Sequence, residues 1–152
     1  MEPQLLQYVE SLFPDLSEKE KQLLPSFTEA EQEHLYATAY ELYRNGKYER
    51  AKQVFYLLTL LNGVNRKFWM GLGASQQMLK DYRAALGSYS IAAAQNPEDP
   101  AVHEYAAECF FALNDLPLAI KTLGSARLVA GKNGDRSLVE RLEMMQKAWK
   151  AL

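Results

Sequence analysis

The sequence has a single cysteine among its 152 residues, Cys109, and only two histidines, His34 and His103. One thiol cannot form an internal disulfide, and no cysteine or histidine stands at a spacing typical of zinc ligands. The chain therefore needs no oxidising compartment, which favours a cytoplasmic location. Glycine-rich phosphate loops and a Gly-x-Ser-x-Gly motif are also missing, so we predict no catalytic residue, metal site or cofactor.

Long hydrophobic runs are absent as well. The longest largely apolar stretch, VFYLLTLL from Val54 to Leu61, is much shorter than the roughly 20 residues that span a membrane. The N-terminus is acidic and shows no basic region followed by an apolar core, so no secretory signal is expected. These absences predict a soluble intracellular protein that does not insert into a membrane.

Neither sign of charge dominates, since 17 basic residues are matched by 19 acidic ones for a net charge of −2. Nucleic-acid binding requires a basic surface, so no nucleic-acid partner is expected. The charge is unevenly distributed: residues 1–33 hold eight acidic and two basic residues (−6), and residues 34–152 hold the remaining 11 acidic and 15 basic ones (+4). Hydrophobic residues make up 48% of the chain, enough for one domain with a substantial core.

A 34-residue repeat organises most of the chain, because residues 32–65, 66–99 and 100–133 align without a gap. Small residues recur at places eight and twenty, and large residues recur at places 17 and 24. The matching sets are Ala39, Gly73 and Ala107; Ala51, Ala85 and Ala119; Tyr48, Tyr82 and Leu116; and Phe55, Tyr89 and Leu123. Small residues let two antiparallel helices approach closely, and the large ones fill the space towards the next hairpin. This is the tetratricopeptide repeat pattern; the alternative is three unrelated amphipathic hairpins.

Turn signals fall where each hairpin must reverse: Asn45-Gly46, Lys80-Asp81 and Asn114-Asp115. The run from Asn96 to Pro100 separates the second unit from the third. The sequence therefore predicts an all-α fold, a tetratricopeptide-repeat superhelix of three tandem helical hairpins in residues 32–133.

The segments on either side of the repeats are predicted to be helical. Residues 1–31 form an N-terminal helical segment whose apolar face packs either on the first repeat or on a second copy of the chain, and a capping box at Thr28 and Glu31 begins the first repeat helix. Residues 134–152 form a C-terminal capping helix that covers the last repeat. Its apolar stripe consists of Leu138, Leu142, Met145 and Trp149.

The first helix of each hairpin is expected to line a concave face, to which places two, five, nine and twelve point. Those places hold Glu33, Tyr36, Tyr40 and Tyr43; Lys67, Met70, Ala74 and Gln77; and Ala101, Glu104, Glu108 and Phe111. Tyrosine combines a large apolar surface with a hydroxyl that can bond to a peptide, and methionine adapts to different partners. We predict a groove for an extended apolar peptide. Its binding residues are predicted to be Tyr36, Tyr40, Tyr43, Lys67, Met70, Ala74, Gln77, Glu104 and Phe111.

Two other interpretations of this concave face can be compared with the sequence. The alternative for the three tyrosines of the first helix is that they complete the core or contact the N-terminal segment, and that alternative stays open. The carboxylate clamp that binds the acidic tails of heat-shock chaperones needs basic residues and asparagines at five places. These hold Tyr36, Tyr40, Gly71, Ala101 and Tyr105, so the clamp is absent.

Three stretches carry a family resemblance: Leu35 to Leu61, with its L-Y-x-x-A-[FY]-x-x-Y run; FWMGLGASQQ from Phe68 to Gln77; and AAECFFAL from Ala106 to Leu113. Over about residues 32–130 the chain resembles the class II chaperones of bacterial type III secretion, the LcrH/SycD-like translocator chaperones. The resemblance is specific, because the first run and the A-A-E-C motif lie outside the places that the repeat itself requires.

This resemblance implies a bacterial cytosolic chaperone that binds hydrophobic, pore-forming translocator proteins and keeps them soluble and competent for secretion. It implies that an extended translocator segment lies in the groove against Tyr36, Tyr40 and Tyr43, with Met70, Ala74 and Gln77 from the second repeat. It also implies a homodimer formed through N-terminal helices. The alternative function is a tetratricopeptide-repeat adaptor or scaffold in a bacterial assembly, without a chaperone role.

We expect a weak homodimer that depends on residues 1–30, because the apolar face of that segment needs a partner. Sedimentation of the full-length chain should show a dimer whose fraction rises with concentration, whereas a chain lacking residues 1–30 should stay monomeric. Identical monomeric sedimentation of both chains at every concentration would reject the prediction.

Overall fold

The structure, a computed structural model, describes residues 27–152. In that range all regular secondary structure is helical, which confirms the predicted all-α class. The seven helices are α1 (Glu29–Arg44), α2 (Tyr48–Leu61), α3 (Arg66–Met78), α4 (Tyr82–Gln95), α5 (Pro100–Ala112), α6 (Leu116–Lys132) and α7 (Arg136–Lys150). The predicted N-terminal segment before residue 27, and the dimer contact through it, lie outside the described residues.

Local chemistry accounts for where the helices begin. The Thr28 hydroxyl accepts a hydrogen bond from the Glu31 N–H at 3.2 Å, and the Glu31 carboxylate accepts one from the Thr28 N–H at 2.8 Å. This is the predicted capping box. Asp81, Asp115 and Asp135 begin α4, α6 and α7 in a related way, since each carboxylate accepts a bond from the N–H three residues later.

The turn inside each hairpin uses the same backbone conformation at the same place of the repeat. Gly46, Lys80 and Asn114 all stand at place fifteen, and all have positive φ angles, of 75°, 63° and 61°. Glycine and asparagine adopt this left-handed conformation readily, whereas lysine does so at a cost. The shared geometry makes the three turns equivalent and fixes the reversal of the chain in each hairpin.

Successive helices pack on one another, and α1 also contacts α3, the first helix of the next hairpin. Alanines at the small places of the repeat are fully buried between the helices: Ala39, Ala51, Ala85, Ala107 and Ala119. Around them the first two hairpins bury large rings, among them Phe55, Phe68, Trp69 and Tyr89. The alanines at the crossings, and Phe55 and Tyr89 between hairpins, stand at positions that the repeat predicted for the core, and Phe68 and Trp69 add to it.

The helix α7 packs its apolar stripe on the third hairpin. Leu142 is fully buried with Ala107 and Leu123, and Leu138, Met145 and Trp149 pack against the same cluster. Burial of this stripe removes the apolar end of the repeat stack from water. No helix within residues 27–152 has the length and apolarity to cross a membrane.

Two glycines inside α3 allow aromatic side chains to lie directly on its backbone. A Cβ atom at Gly73 would lie 2.6 Å from a ring carbon of Tyr89, and one at Gly71 would overlap the ring of Phe55. Neither glycine is required by a turn, so their role is close approach. The rings of Phe55 and Tyr89 thereby reach positions beneath the face of α3.

The substitution Gly73→Ala should lower the free energy of unfolding by about 1–3 kcal/mol, because the added methyl group displaces the buried Tyr89 ring. The matched control is Gly131→Ala in α6, where the nearest side-chain atom is 3.9 Å from the added Cβ. This control should be neutral or stabilising by up to about 1 kcal/mol. Urea denaturation measures both, and equal stabilities of the two variants would contradict the packing argument.

Candidate functional site

A cavity of about 480 Å³ runs along α3, between α1 and α5. We call it the groove. Its lining residues are Tyr36, Tyr40, Tyr43, Phe55, Arg66, Lys67, Met70, Gly71, Ala74, Gln77, Met78, Tyr89, Tyr105 and Glu108. Seven of the nine residues that the sequence placed in a binding site are among them, and the other two, Glu104 and Phe111, are not.

One wall of the groove consists of three tyrosines at i, i+4 and i+7 of α1. The Tyr36 ring lies between core and groove: its centroid is 5.9 Å from those of Phe55 and Phe68, and 6.3 Å from that of Tyr40. Tyr43 meets Tyr48 edge to face at 5.4 Å. Tyr40 is 49% exposed, and Tyr36 and Tyr43 are half-buried. The core thus holds the ends of this wall while its middle ring stays open to solvent.

Two phenols of the tyrosine wall, Tyr36 and Tyr43, stay uncharged over the physiological pH range. Burial raises the pKa of the Tyr36 phenol despite the nearby Lys67 ammonium, which acts in the opposite direction. Burial also raises the pKa of Tyr43. The Lys67 ammonium lies 4.8 Å from the Tyr36 ring centroid and 3.1 Å from the Glu33 carboxylate. These phenols therefore remain hydrogen-bond donors on an apolar surface.

The floor of the groove comes from α3 and the rings beneath it, and Tyr105 and Glu108 of α5 line the wall opposite the tyrosines. Met70 and Ala74 line the groove one helical turn apart, a flexible side chain beside a small one. Phe55 reaches the floor because Gly71 has no side chain. The result is a mostly apolar trough with adaptable walls, which suits an extended apolar chain segment.

The end of the groove near the C-terminus of α3 is polar. The Tyr89 hydroxyl donates a hydrogen bond to Gln77 Oε1 at 2.7 Å, and Gln77 Nε2 donates one to Glu108 Oε2 at 2.9 Å. Burial raises the pKa of Glu108, although the bond from Gln77 acts against the shift. Tyr105 lies beside this chain of bonds, with its ring centroid 5.8 Å from that of Tyr89.

Glu104 and Phe111 were predicted to face the groove, and the structure corrects both. The Glu104 carboxylate is buried and accepts two hydrogen bonds from the Arg141 guanidinium, one of them at 2.8 Å. The Phe111 ring stacks on Trp149 with centroids 4.7 Å apart. Both partners belong to α7, which covers this part of the third hairpin. The groove consequently ends where α7 begins to pack on α5.

Several lining residues were not in the predicted binding set: Phe55, Arg66, Gly71, Met78, Tyr89, Tyr105 and Glu108. Tyr105 stands at place six of its repeat, three residues before Glu108 at place nine. Residues three apart share a helix face, so this spacing was a usable signal. Phe55 and Tyr89 come from the second helices of their hairpins and had been assigned to scaffold packing, which they also provide.

The cysteine and the two histidines are not among the residues that line the groove. Cys109 is buried, and burial raises the pKa of its thiol to about 12. His34 is exposed on α1, and His103 is half-buried on α5. Between residues 27 and 152, no three histidine, cysteine or acidic side chains gather where they could hold a metal ion.

Comparison with known proteins identifies relatives of this arrangement. Two tetratricopeptide repeat families match residues 33–62 and 79–134, which confirms the predicted repeats. The low calcium response locus protein H of Yersinia pestis is 36% identical over 119 residues, which cover 78% of this chain and 71% of that protein.

Solved structures share the fold. PcrH, a Pseudomonas aeruginosa protein crystallised with the chaperone binding region of PopD, superposes with a TM-score of 0.78 at 34% identity, over 82% of this chain and 95% of that one. The chaperone SycD of Yersinia enterocolitica, in complex with a peptide of the translocator YopD, gives a TM-score of 0.75 at 34% identity. That match also covers 82% of this chain and 95% of the other.

The contact that ends the groove can be tested by removing its cation. Arg141→Met should lower the free energy of unfolding by about 1–3 kcal/mol, because the buried Glu104 carboxylate loses its charged partner. Adding Glu104→Gln to that variant should restore part of the loss, since a neutral amide costs less to bury. Arg83→Met, at an exposed position of α4, is the control. Equal urea midpoints for Arg141→Met and this control would show that the pair contributes nothing.

Proposed function

The chain belongs to the LcrH/SycD family of type III secretion translocator chaperones, and from that premise we propose that its groove holds an extended apolar segment of a hydrophobic translocator. The chain is a chaperone that binds such translocators and keeps them soluble and competent for secretion. PcrH and SycD have been solved with segments of PopD, PopB and YopD. We assign hydrophobic translocators to this chain as its partner class.

The observation that carries the proposal is the tyrosine wall, with Tyr40 half-exposed at its centre beside an apolar trough. An exposed aromatic surface of this kind costs free energy in water unless a partner covers it. Translocator segments that later enter a membrane have the complementary problem, because they aggregate in water. When the groove binds such a segment, both apolar surfaces are removed from water, and the segment no longer aggregates.

The expected complex is reversible. An unfolded segment loses conformational entropy when it becomes ordered in the groove, which offsets part of the free energy gained from burial. Moderate affinity suits a cargo that must later be released into the secretion apparatus. The same binding prevents the covered segment from associating with other exposed hydrophobic chains.

The remaining assignments follow from this role. We place the chaperone in the bacterial cytosol, where translocators are made, and assign it no enzymatic activity. We divide the chain into an N-terminal helical segment (1–31), a repeat domain (32–133) and a capping helix (134–152). We also propose a weak homodimer through residues 1–30; SycD has itself been crystallised in an alternative dimer.

Co-expression with a hydrophobic translocator of the same secretion system tests the proposal. The wild-type chain should bring the translocator into a soluble complex, and Tyr40→Glu should abolish that complex, because a carboxylate in the groove wall would be desolvated by apolar cargo. Tyr40→Phe should retain binding. The control Leu128→Glu places the same charge at a site on α6 that is 67% exposed and does not line the groove, and it should bind normally.

Circular dichroism should show the same helical content for all variants, since Tyr40 is half-exposed and its ring contacts are confined to the wall. If the translocator is equally soluble without this protein, the chaperone function is wrong and an adaptor role replaces it. If Tyr40→Glu and Leu128→Glu behave alike, the groove is not the binding site.

A further inference from the structure

Glu108 is the one carboxylate among the described residues that line the groove. It lies on α5, at the end of the groove opposite Arg66 and Lys67, whose cationic groups are already paired with Asp99 and Glu33. Gln77 follows Lys67 by ten residues along α3, so the two ends are about 15 Å apart. The repeat pattern does not require a single acidic residue at one end of an aromatic trough, so Glu108 needs another explanation.

The Glu108 carboxylate is held in a fixed orientation by neighbours on two other helices. Because the Tyr89 hydroxyl donates to Gln77 Oε1, the amide of Gln77 must present its Nε2 to Glu108. That bond occupies Oε2 of Glu108. Within residues 27–152, Oε1 receives no hydrogen bond. The groove therefore contains an oriented carboxylate, one oxygen of which can still accept a hydrogen bond.

Among the described residues, the charges that face Glu108 leave its negative charge without a cation of its own. Glu104 precedes it by one turn on α5, and the nearest guanidinium, Arg141 on α7, is committed to Glu104 by two hydrogen bonds. The other groups around it, Tyr43, Tyr89 and Tyr105, are phenols, which offer no positive charge. In the open groove, water can solvate the carboxylate. An apolar segment would displace that water and leave an acceptor unsatisfied, at a large cost in free energy.

We propose that Glu108 is a specificity-determining residue of the groove, whose Oε1 accepts a hydrogen bond from an N–H group of the bound translocator segment. This inference rests on the proposed function. A site with a buried acceptor rejects ligands that lack the matching donor more strongly than an apolar pocket rejects a misfit side chain. Glu108 therefore sets the register of the segment, while the tyrosine wall supplies most of the buried area.

The test uses the full-length protein and fluorescently labelled overlapping peptides that cover a translocator of the same secretion system. Glu108→Gln keeps the shape and the bond from Gln77 but turns an NH₂ group towards the peptide's donor. It should weaken the tightest peptide by at least about tenfold in fluorescence anisotropy. Glu140→Gln, which removes an equal charge from an exposed position on α7, should bind like the wild type.

Two modified peptide series identify the donor. N-methylation of each main-chain amide in turn removes one N–H, and replacement of each lysine or arginine by norleucine removes one cationic donor. The modification that removes the donor should weaken binding to the wild type by about tenfold yet have little further effect on Glu108→Gln. Such coupling in the first series assigns a main-chain N–H, and in the second series a cationic side chain; either supports the proposal.

Failure of this proposal can be told apart from failure of the proposed function. If peptides bind the wild type, Tyr40→Glu abolishes binding and Glu108→Gln binds unchanged, then the groove is the site but Glu108 has no role in it. An absence of coupling in both peptide series would also overturn the inference. If no peptide binds the wild type, the proposed function itself fails. Circular dichroism and urea denaturation serve as the folding control. Wild-type helical content and an unchanged urea midpoint for Glu108→Gln would show that a loss of binding is not caused by unfolding.

Discussion

The groove depends on the close approach of two aromatic rings to one helix backbone. Phe55 and Tyr89 come from the second helices of adjacent hairpins, and each lies where a side chain on α3 would otherwise be, at Gly71 and Gly73. Tyr36 packs on Phe55, and Tyr105 packs on Tyr89, so both walls are positioned by rings that sit on these glycines. The same contacts that stabilise the core thereby determine the shape of the groove, and a change in one alters the other.

The apolar end of the repeat stack at the third hairpin must be covered, and this requirement limits the length of the groove. Its concave positions carry Glu104 and Phe111, which look like binding residues by analogy with the first two hairpins. An exposed apolar end is unfavourable, however, and α7 covers it, engaging both residues through Arg141 and Trp149. Stability at the end of the stack therefore limits the groove to the first two hairpins and the near face of α5.

Affinity and selectivity are divided between different residues of the groove. The tyrosines and Met70 offer apolar area that adapts to many sequences, which is useful for a chaperone of hydrophobic cargo. The bonded set of Tyr89, Gln77 and Glu108 is directional, because hydrogen bonds depend on geometry and burial of an unmatched acceptor is costly. An apolar wall combined with one oriented acceptor gives a site that tolerates variation in the segment but restricts its position.

Local and periodic features could be predicted from the sequence alone. The 34-residue spacing, the small residues at Ala39 and Gly73 and the capping box at Thr28 depend on contacts within a hairpin or between neighbours, so they specify the repeats, and the tyrosine wall follows from their period. The contribution of Phe55 to the floor, the bond from Gln77 to Glu108 and the loss of Glu104 to α7 were decided by the tertiary structure. These contacts join residues on different helices, and α7 lies outside the repeat, so no period could reveal them.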